Sequence, residues 1–187
     1  MSRNPALTRK RLIDAAAQEF SVHGLAGARV DRIATEAGVN KERIYHYFEN
    51  KVGLFTAVLE SRLAEVTDSH PITGFGEQAV LEYALGLAES RAQDPTLARL
   101  LHWEALELPT PVALKDRLAQ TAGKVDALMV ALPELDRTAA TDLLFEILLV
   151  VNSTVVLTNV TATIYPDGRQ GDVCRGMLAG VVRRYAG

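Results

Sequence analysis

The segment RVDRIATEAGVNKERIYHYFENK, Arg29 to Lys51, restricts the fold more than any other part of this chain. Val30, Ile33, Ala34 and Ala37 recur at i, i+3, i+4 and i+7, which lays apolar side chains along one face of a short helix. Gly38 then ends that helix. Glycine enters the left-handed region without a Cβ clash, so Gly38-Val39-Asn40 is expected to turn sharply, and the Asn40 side-chain oxygen is expected to cap the next helix. Two short helices joined by so tight a turn form a helix-turn-helix.

The second of these helices, Lys41 to Phe48, sorts its residues by chemistry. With about 100° per residue, Phe48 and Tyr47 fall beside Ile44 and anchor the helix, while Glu42 and His46 fall near the opposite pole with Arg43 and Tyr45 flanking them. An exposed arc of that composition can read a major groove: Arg bridges guanine in a bidentate fashion, Glu accepts from cytosine, and Tyr or His reaches bases or phosphates. A solvated polar face has the same pattern.

The residues from Leu7 to about Leu59 resemble the TetR family of bacterial transcriptional regulators, through the IYHYF run, Lys51, a first helix that ends at a glycine after Phe20, and AGVNKERIYHYFENKVGLF. The resemblance implies an all-α protein with an N-terminal helix-turn-helix domain, residues 1–50, and a C-terminal ligand-binding and dimerisation domain, residues 51–187, with helix four, about 51–69, connecting them. It also implies a homodimer that binds a palindromic double-stranded operator, usually as a repressor, and releases it when a small-molecule effector binds. Base reading is assigned to Arg43, Tyr45, Glu42 and His46, and phosphate contact mainly to Lys41, Tyr47 and Lys51, with Asn40 in the same surface. Ala28 departs from the pattern, because the family usually places Thr or Ser there to cap the second helix and touch a phosphate. Arg29 is expected to supply the charge instead.

Charge supports that orientation. The formal net charge is −3, yet residues 1–51 hold nine Lys/Arg against six Asp/Glu and residues 52–187 hold eleven against seventeen, a split of +3 and −6. The basic share sits where phosphate is expected. Arg3, Arg9, Lys10 and Arg11 form a basic arm at the start that suits phosphate or a free tail. A single cysteine, Cys174, permits no internal disulfide and, with no signal peptide, points to the cytoplasm. On its helix Cys174 reads as a small buried hydrophobe rather than a redox sensor.

The remaining chain reads as helices: about 77–93, 96–108, a stripe from Leu114 to Leu132, a long helix 138–165, and 170–185, about nine in all. Residues 147–164 are uncharged, but seven of the eighteen are Asn, Ser or Thr, which favours burial in protein over a membrane span. Two sets of residues are candidates for a ligand site. Trp103 suits either a pocket or core packing. Phe145, Leu149, Asn152, Val156 and Asn159 form an apolar stripe broken by two amides, which fits either a ligand-facing wall or a dimer interface. His23, His46, His70 and His102 are scattered, and no metal-ligand, phosphate-loop or nucleophile-elbow spacing occurs, so no metal, cofactor or enzymatic activity is expected. An all-α ligand-binding or sequestering protein without operator binding is the competing reading.

Overall fold

The structure is a computed structural model that describes residues 4–187, so Arg3 of the basic arm lies outside the described residues. Among the described residues ten helices follow in order: α1 (Pro5–Gly27), α2 (Val30–Glu36), α3 (Lys41–Phe48), α4 (Lys51–Ser69), α5 (Gly76–Gln93), α6 (Thr96–Glu107), α7 (Leu114–Ala131), α8 (Arg137–Val156), α9 (Thr158–Ile164) and α10 (Gln170–Ala186). They group into two compact units, one of residues 1–65 and 96–113, the other of residues 66–95 and 114–187. The first unit is therefore more than a segment ending at residue 50, because it includes most of α4 and all of α6.

In the first unit, Leu12, Ala16, Phe20, Ile33, Ile44, Leu54 and Phe55 are fully buried. The Phe20 and Phe55 rings meet edge to face, with centroids 5.2 Å apart, the geometry that aromatic quadrupoles favour. Gly24 interrupts α1 with φ 70° and ψ 178°. A Cβ there would stand 2.6 Å from Glu107 Oε1 and 2.8 Å from Trp103 Cε3. Glycine is thus required twice, once by its left-handed backbone and once by the close approach of α6. The approach is fastened by hydrogen bonds: Ala26 N–H donates to Glu107 Oε2 at 2.9 Å, and Trp103 Nε1–H donates to the Ser21 carbonyl at 3.2 Å. Trp103 accordingly packs on α1.

The second unit packs α5, α7, α8 and α10 around Val80, Ala84, Leu87, Leu128, Leu143, Ile147, Val151 and Leu178. Tyr185 Oη–H donates to Glu146 Oε1 at 2.9 Å, tying α10 to α8, and Arg184 pairs with the same carboxylate. Cys174 is buried, and desolvation pushes its thiol above the ordinary value. Among the described residues, α8 alone is long and apolar enough to cross a membrane, but its Ala140, Leu143, Leu144, Ile147, Val150 and Val151 are buried in this unit.

The expected long helix 138–165 is two helices, with Leu157 at φ −96° and ψ 21° between α8 and α9. The hydroxyls around the break explain it. Ser153, Thr154, Thr158, Thr161 and Thr163 donate to carbonyls three residues back, on Val150, Val151, Val155, Thr158 and Val160. Such back-bonding competes with the helical ladder and bends it, and the β-branched density adds to the cost.

Candidate nucleic-acid interface

The turn between α2 and α3 forms as its sequence demands. Gly38 has φ 66°, Val39 N–H donates to the Ala34 carbonyl at 3.0 Å, and Gly38 N–H donates to the Thr35 carbonyl at 3.1 Å. These two bonds make a Schellman motif. Asn40 corrects one expectation. It occupies the N-cap of α3, but its side chain makes no capping bond, and only its backbone carbonyl accepts, from Arg43 N–H at 3.2 Å. The turn already fixes the direction of entry into α3, so the Asn40 amide stays exposed.

Ile44 and Phe48 hold α3 to the core, both buried. Lys41, Glu42 and His46 are exposed, Tyr45 keeps 44% of its surface, and Arg43 and Tyr47 are half-buried. The wheel therefore orders the helix correctly, with Arg43 nearer the core than its position predicts. Tyr47 Oη–H points back to the Pro5 carbonyl at 3.4 Å, and the Arg9 guanidinium lies 5.4 Å from the Phe48 ring centroid, so the start of α1 is pinned to the end of α3.

Two of the cations assigned to phosphate already have partners in the free protein. Lys41 Nζ lies 3.0 Å from Asp31, whose hydrogen bond and charge raise the Lys41 pKa. Lys51 Nζ donates to the carbonyls of Ala26 and Ala28, each at 3.2 Å, closing the segment that leads into α2. Lys51 thus supports the fold of the reading head whatever else it touches.

Ala28 is buried, and Arg29, exposed beside it, is the N-cap of α2 with no side-chain cap. Sequence reasoning missed the residue that takes over there. Glu19, from α1, accepts the Arg29 backbone N–H at 2.8 Å and grips Arg32 through both oxygens, at 2.6 to 3.0 Å. A carboxylate at a helix N-terminus satisfies an otherwise orphaned donor and opposes the helix dipole. Burial alone would push the Glu19 carboxyl up, but Arg32, the Arg29 N–H and His23 outweigh it and hold it below the ordinary range. The only local signal was a glutamate on the polar face of α1, ten residues before the backbone it caps.

The other candidate set faces outward. Phe145 keeps 63% of its surface exposed, Leu149 54% and Val156 39%, and Asn159 is exposed as well. Leu157, Val160 and Ile164 on α9 and Met177 on α10 are also exposed. Exposed apolar side chains gathered in this way are the mark of an interaction face. Asn152 turns inward. Its Nδ2 donates to the Leu148 carbonyl at 2.7 Å, and its Oδ1 is buried without a partner.

Comparison with known proteins places both halves of this arrangement. A model of bacterial regulatory proteins, tetR family, matches residues 12–58, and one of the Tetracyclin repressor-like C-terminal domain matches residues 80–184. The HTH-type transcriptional repressor SCO4008 of Streptomyces coelicolor is 33% identical over 189 aligned residues, covering 98% of this chain and 97% of that protein. Among solved structures, the transcriptional regulator SCO4942 of the same organism is 30% identical with a TM-score of 0.75, over 95% of this chain and 97% of that one. FadR of Bacillus subtilis, solved with stearoyl-CoA, shares the fold alone: 19% identity and a TM-score of 0.67, over 92% of this chain and 97% of its own. Matched along almost its whole length by such a relative, and at both ends by the models for the two domains, the chain belongs to the TetR family of bacterial regulatory proteins.

Proposed function

We propose that this protein is a sequence-specific transcriptional repressor that binds a palindromic operator in the cytoplasm as a homodimer and is released by a small molecule held in its second unit. The observation that carries the proposal is the surface of α3, where Lys41, Glu42, Tyr45 and His46 are exposed on a helix anchored by Ile44 and Phe48. The name of its relative in Streptomyces coelicolor supports repression, and the stearoyl-CoA complex of FadR, which shares the fold, supports a small-molecule ligand.

Homodimerisation is supported by the exposed apolar face of α8, α9 and α10, where Phe145, Leu149, Val160, Ile164 and Met177 are open to solvent. A two-fold pairing through it gives two recognition helices, and a palindrome about one DNA turn between half-site centres matches such a pair. Helix α4 is the natural transmitter, since it is continuous from Lys51 to Ser69 while the chain passes from the first unit to the second after Glu65. Effector and operator then favour different conformations, and each weakens the other by the same factor, ~1–3 kcal/mol in typical cases or roughly 5–150-fold.

The test is a gel shift of the purified protein with the DNA upstream of its own gene, with Arg43→Ala alongside. Wild type should shift the cognate fragment in preference to random DNA. Arg43→Ala should lose about 1–3 kcal/mol at one base pair and relax the preference. Sedimentation should give twice the 20.3 kDa chain mass. A stable monomer that binds no DNA would leave the all-α sequestering protein as the better reading.

A further inference from the structure

The second unit buries a guanidinium whose Nε has no hydrogen-bond partner. Arg91, in the last turn of α5, keeps 6% of its surface exposed, and Tyr83, two turns earlier, keeps 4%. Arg91 Nε and the Tyr83 hydroxyl are both buried with no hydrogen-bond partner. From α7, Lys124 Nζ lies 5.4 Å from the centroid of the Tyr83 ring. Asp94 attracts Arg91 through space. The α5 dipole adds a partial negative charge at that end, which is far from the full neutralisation a buried guanidinium needs.

Burial pulls the pKa of Arg91 and of Lys124 below their ordinary values, the direction expected of desolvated cations. Desolvation likewise pushes the Tyr83 phenol up to about 12, so its proton stays on and is free to be donated. A guanidinium Nε and a hydroxyl that are both buried without a hydrogen-bond partner are costly, and native proteins rarely keep such groups without a use for them. The three groups share one chemistry: guanidinium, ammonium and phenol all donate. What Arg91 Nε and the Tyr83 hydroxyl lack is an acceptor. A planar guanidinium fork matches a carboxylate or a phosphate, an ammonium adds a point charge, and the phenol adds a directional bond.

We infer that Arg91, Tyr83 and Lys124 form the recognition site for a carboxylate or phosphate group on the effector of the second unit. The inference rests on the reading of that unit as effector-binding, and it narrows the effector to anionic molecules. Arg91 is the main anchor, because it is the most deeply buried of the two cations, and Lys124, half-buried, completes the charge.

Thermal unfolding of the full-length protein at constant ionic strength tests it, using benzoate and inorganic phosphate as probes, with benzyl alcohol and chloride as controls. One or both anions should raise the wild-type midpoint by ~2–4 °C or more, and the controls should not. A response to benzoate alone identifies a carboxylate site, and one to phosphate alone a phosphate site. Arg91→Met should raise the ligand-free midpoint by ~2–4 °C, because an apolar side chain of similar length replaces a buried charge, and should abolish the anion response. Lys124→Met should fold like wild type and lose part of that response. The inference is overturned if wild type ignores both anions, if both variants respond as wild type does, or if Arg91→Met lowers the ligand-free midpoint. Gel shifts on the same samples separate the two readings. DNA binding without an anion response defeats the anion site alone, whereas an anion response without DNA binding defeats the repressor and leaves the site intact.

Discussion

In the first unit, Glu107, Trp103, Lys51 and Arg62 each reach another helix or loop and end on a partner. In the second, Tyr83, Arg91 and Asn152 present buried polar atoms to no partner at all. Arg62 makes the contrast sharp: its Nε is also unpaired, but Nη2 and Nη1 donate to Asp14 and Glu65 at 2.8 and 2.7 Å, so its charge is compensated. A unit whose buried polar groups are satisfied has one preferred packing. A unit with unsatisfied groups gains by rearranging around whatever satisfies them. That difference suits a rigid presentation of α3 and an adaptable effector domain, and it can be attacked by substitution on either side.

The largest effect should come from Gly24→Ala. It forces a side chain into a left-handed position and against Trp103 and Glu107, a combination expected to cost ~2–4 kcal/mol and to lower the thermal midpoint by roughly 5–15 °C. Gly38→Ala is the control, since Gly38 also has φ 66° but a Cβ there meets nothing within 4 Å. It should cost only about 1–2 kcal/mol, the backbone contribution. Equal losses from the two would mean that the seating of α6 on α1 does not fix Gly24.

Lys51→Met comes next. It removes a charged donor from two carbonyls and should lower stability by about 1.5–3 kcal/mol. Under the proposed phosphate role it should also weaken every DNA sequence alike and flatten the salt slope by about one. Loss of stability at an unchanged salt slope would make Lys51 purely structural.

A smaller effect is expected from acid. Glu19 and Asp14 both have carboxyl groups held below their ordinary range, Glu19 against burial by Arg32, the Arg29 N–H and His23, and Asp14 against burial by Lys10 and Arg62. Their folded pKa values lie below the unfolded ones, so the stabilisation is complete above the unfolded value, about 4. It is lost as pH falls through the folded value. Thermal midpoints should therefore drop below about pH 4, and Arg32→Met should make that drop shallower. An unchanged acid profile in Arg32→Met would show that the Glu19 fork contributes nothing.

How far the sequence foretold all this depends on the reach of each interaction. The helix-turn-helix was legible because its causes are local: an apolar face spaced at i, i+3, i+4 and i+7, and a glycine at the one turn position with positive φ. The same locality made the Asn40 cap a fair expectation, and the preceding Schellman turn made it unnecessary. The place of α6 was not legible, because Glu107 and Trp103 meet partners 81 and 82 residues away in sequence. The sequence pattern gave a helix over about 96–108 but not which helix it covers. The break at Leu157 was written in the Ser/Thr run, whose back-bonding to carbonyls three residues earlier went unread. The stripe of Phe145, Leu149, Val156 and Asn159 was found, and only its direction, outward, required the fold. Arg91 and Tyr83 gave no signal, since nothing in a helical pattern shows that a polar atom will be buried without a hydrogen-bond partner.

The smallest expected effect is the most pointed test of the contrast between the units. Tyr83→Phe deletes a buried hydroxyl that has no partner, so it loses no hydrogen bond and removes a desolvated polar group. Such a change should be neutral or stabilising by up to about 1 kcal/mol. In the first unit, Glu107→Gln keeps shape but replaces a charged acceptor of the Ala26 N–H with a neutral one, and should lose about 1 kcal/mol, because charge-assisted hydrogen bonds are roughly twice as strong as neutral ones. The two substitutions are conservative, buried or half-buried, and opposite in expected sign. Parallel urea melts would settle the matter: if Tyr83→Phe destabilises as much as Glu107→Gln, the Tyr83 hydroxyl is satisfied in solution, and the second unit is as fully paired as the first.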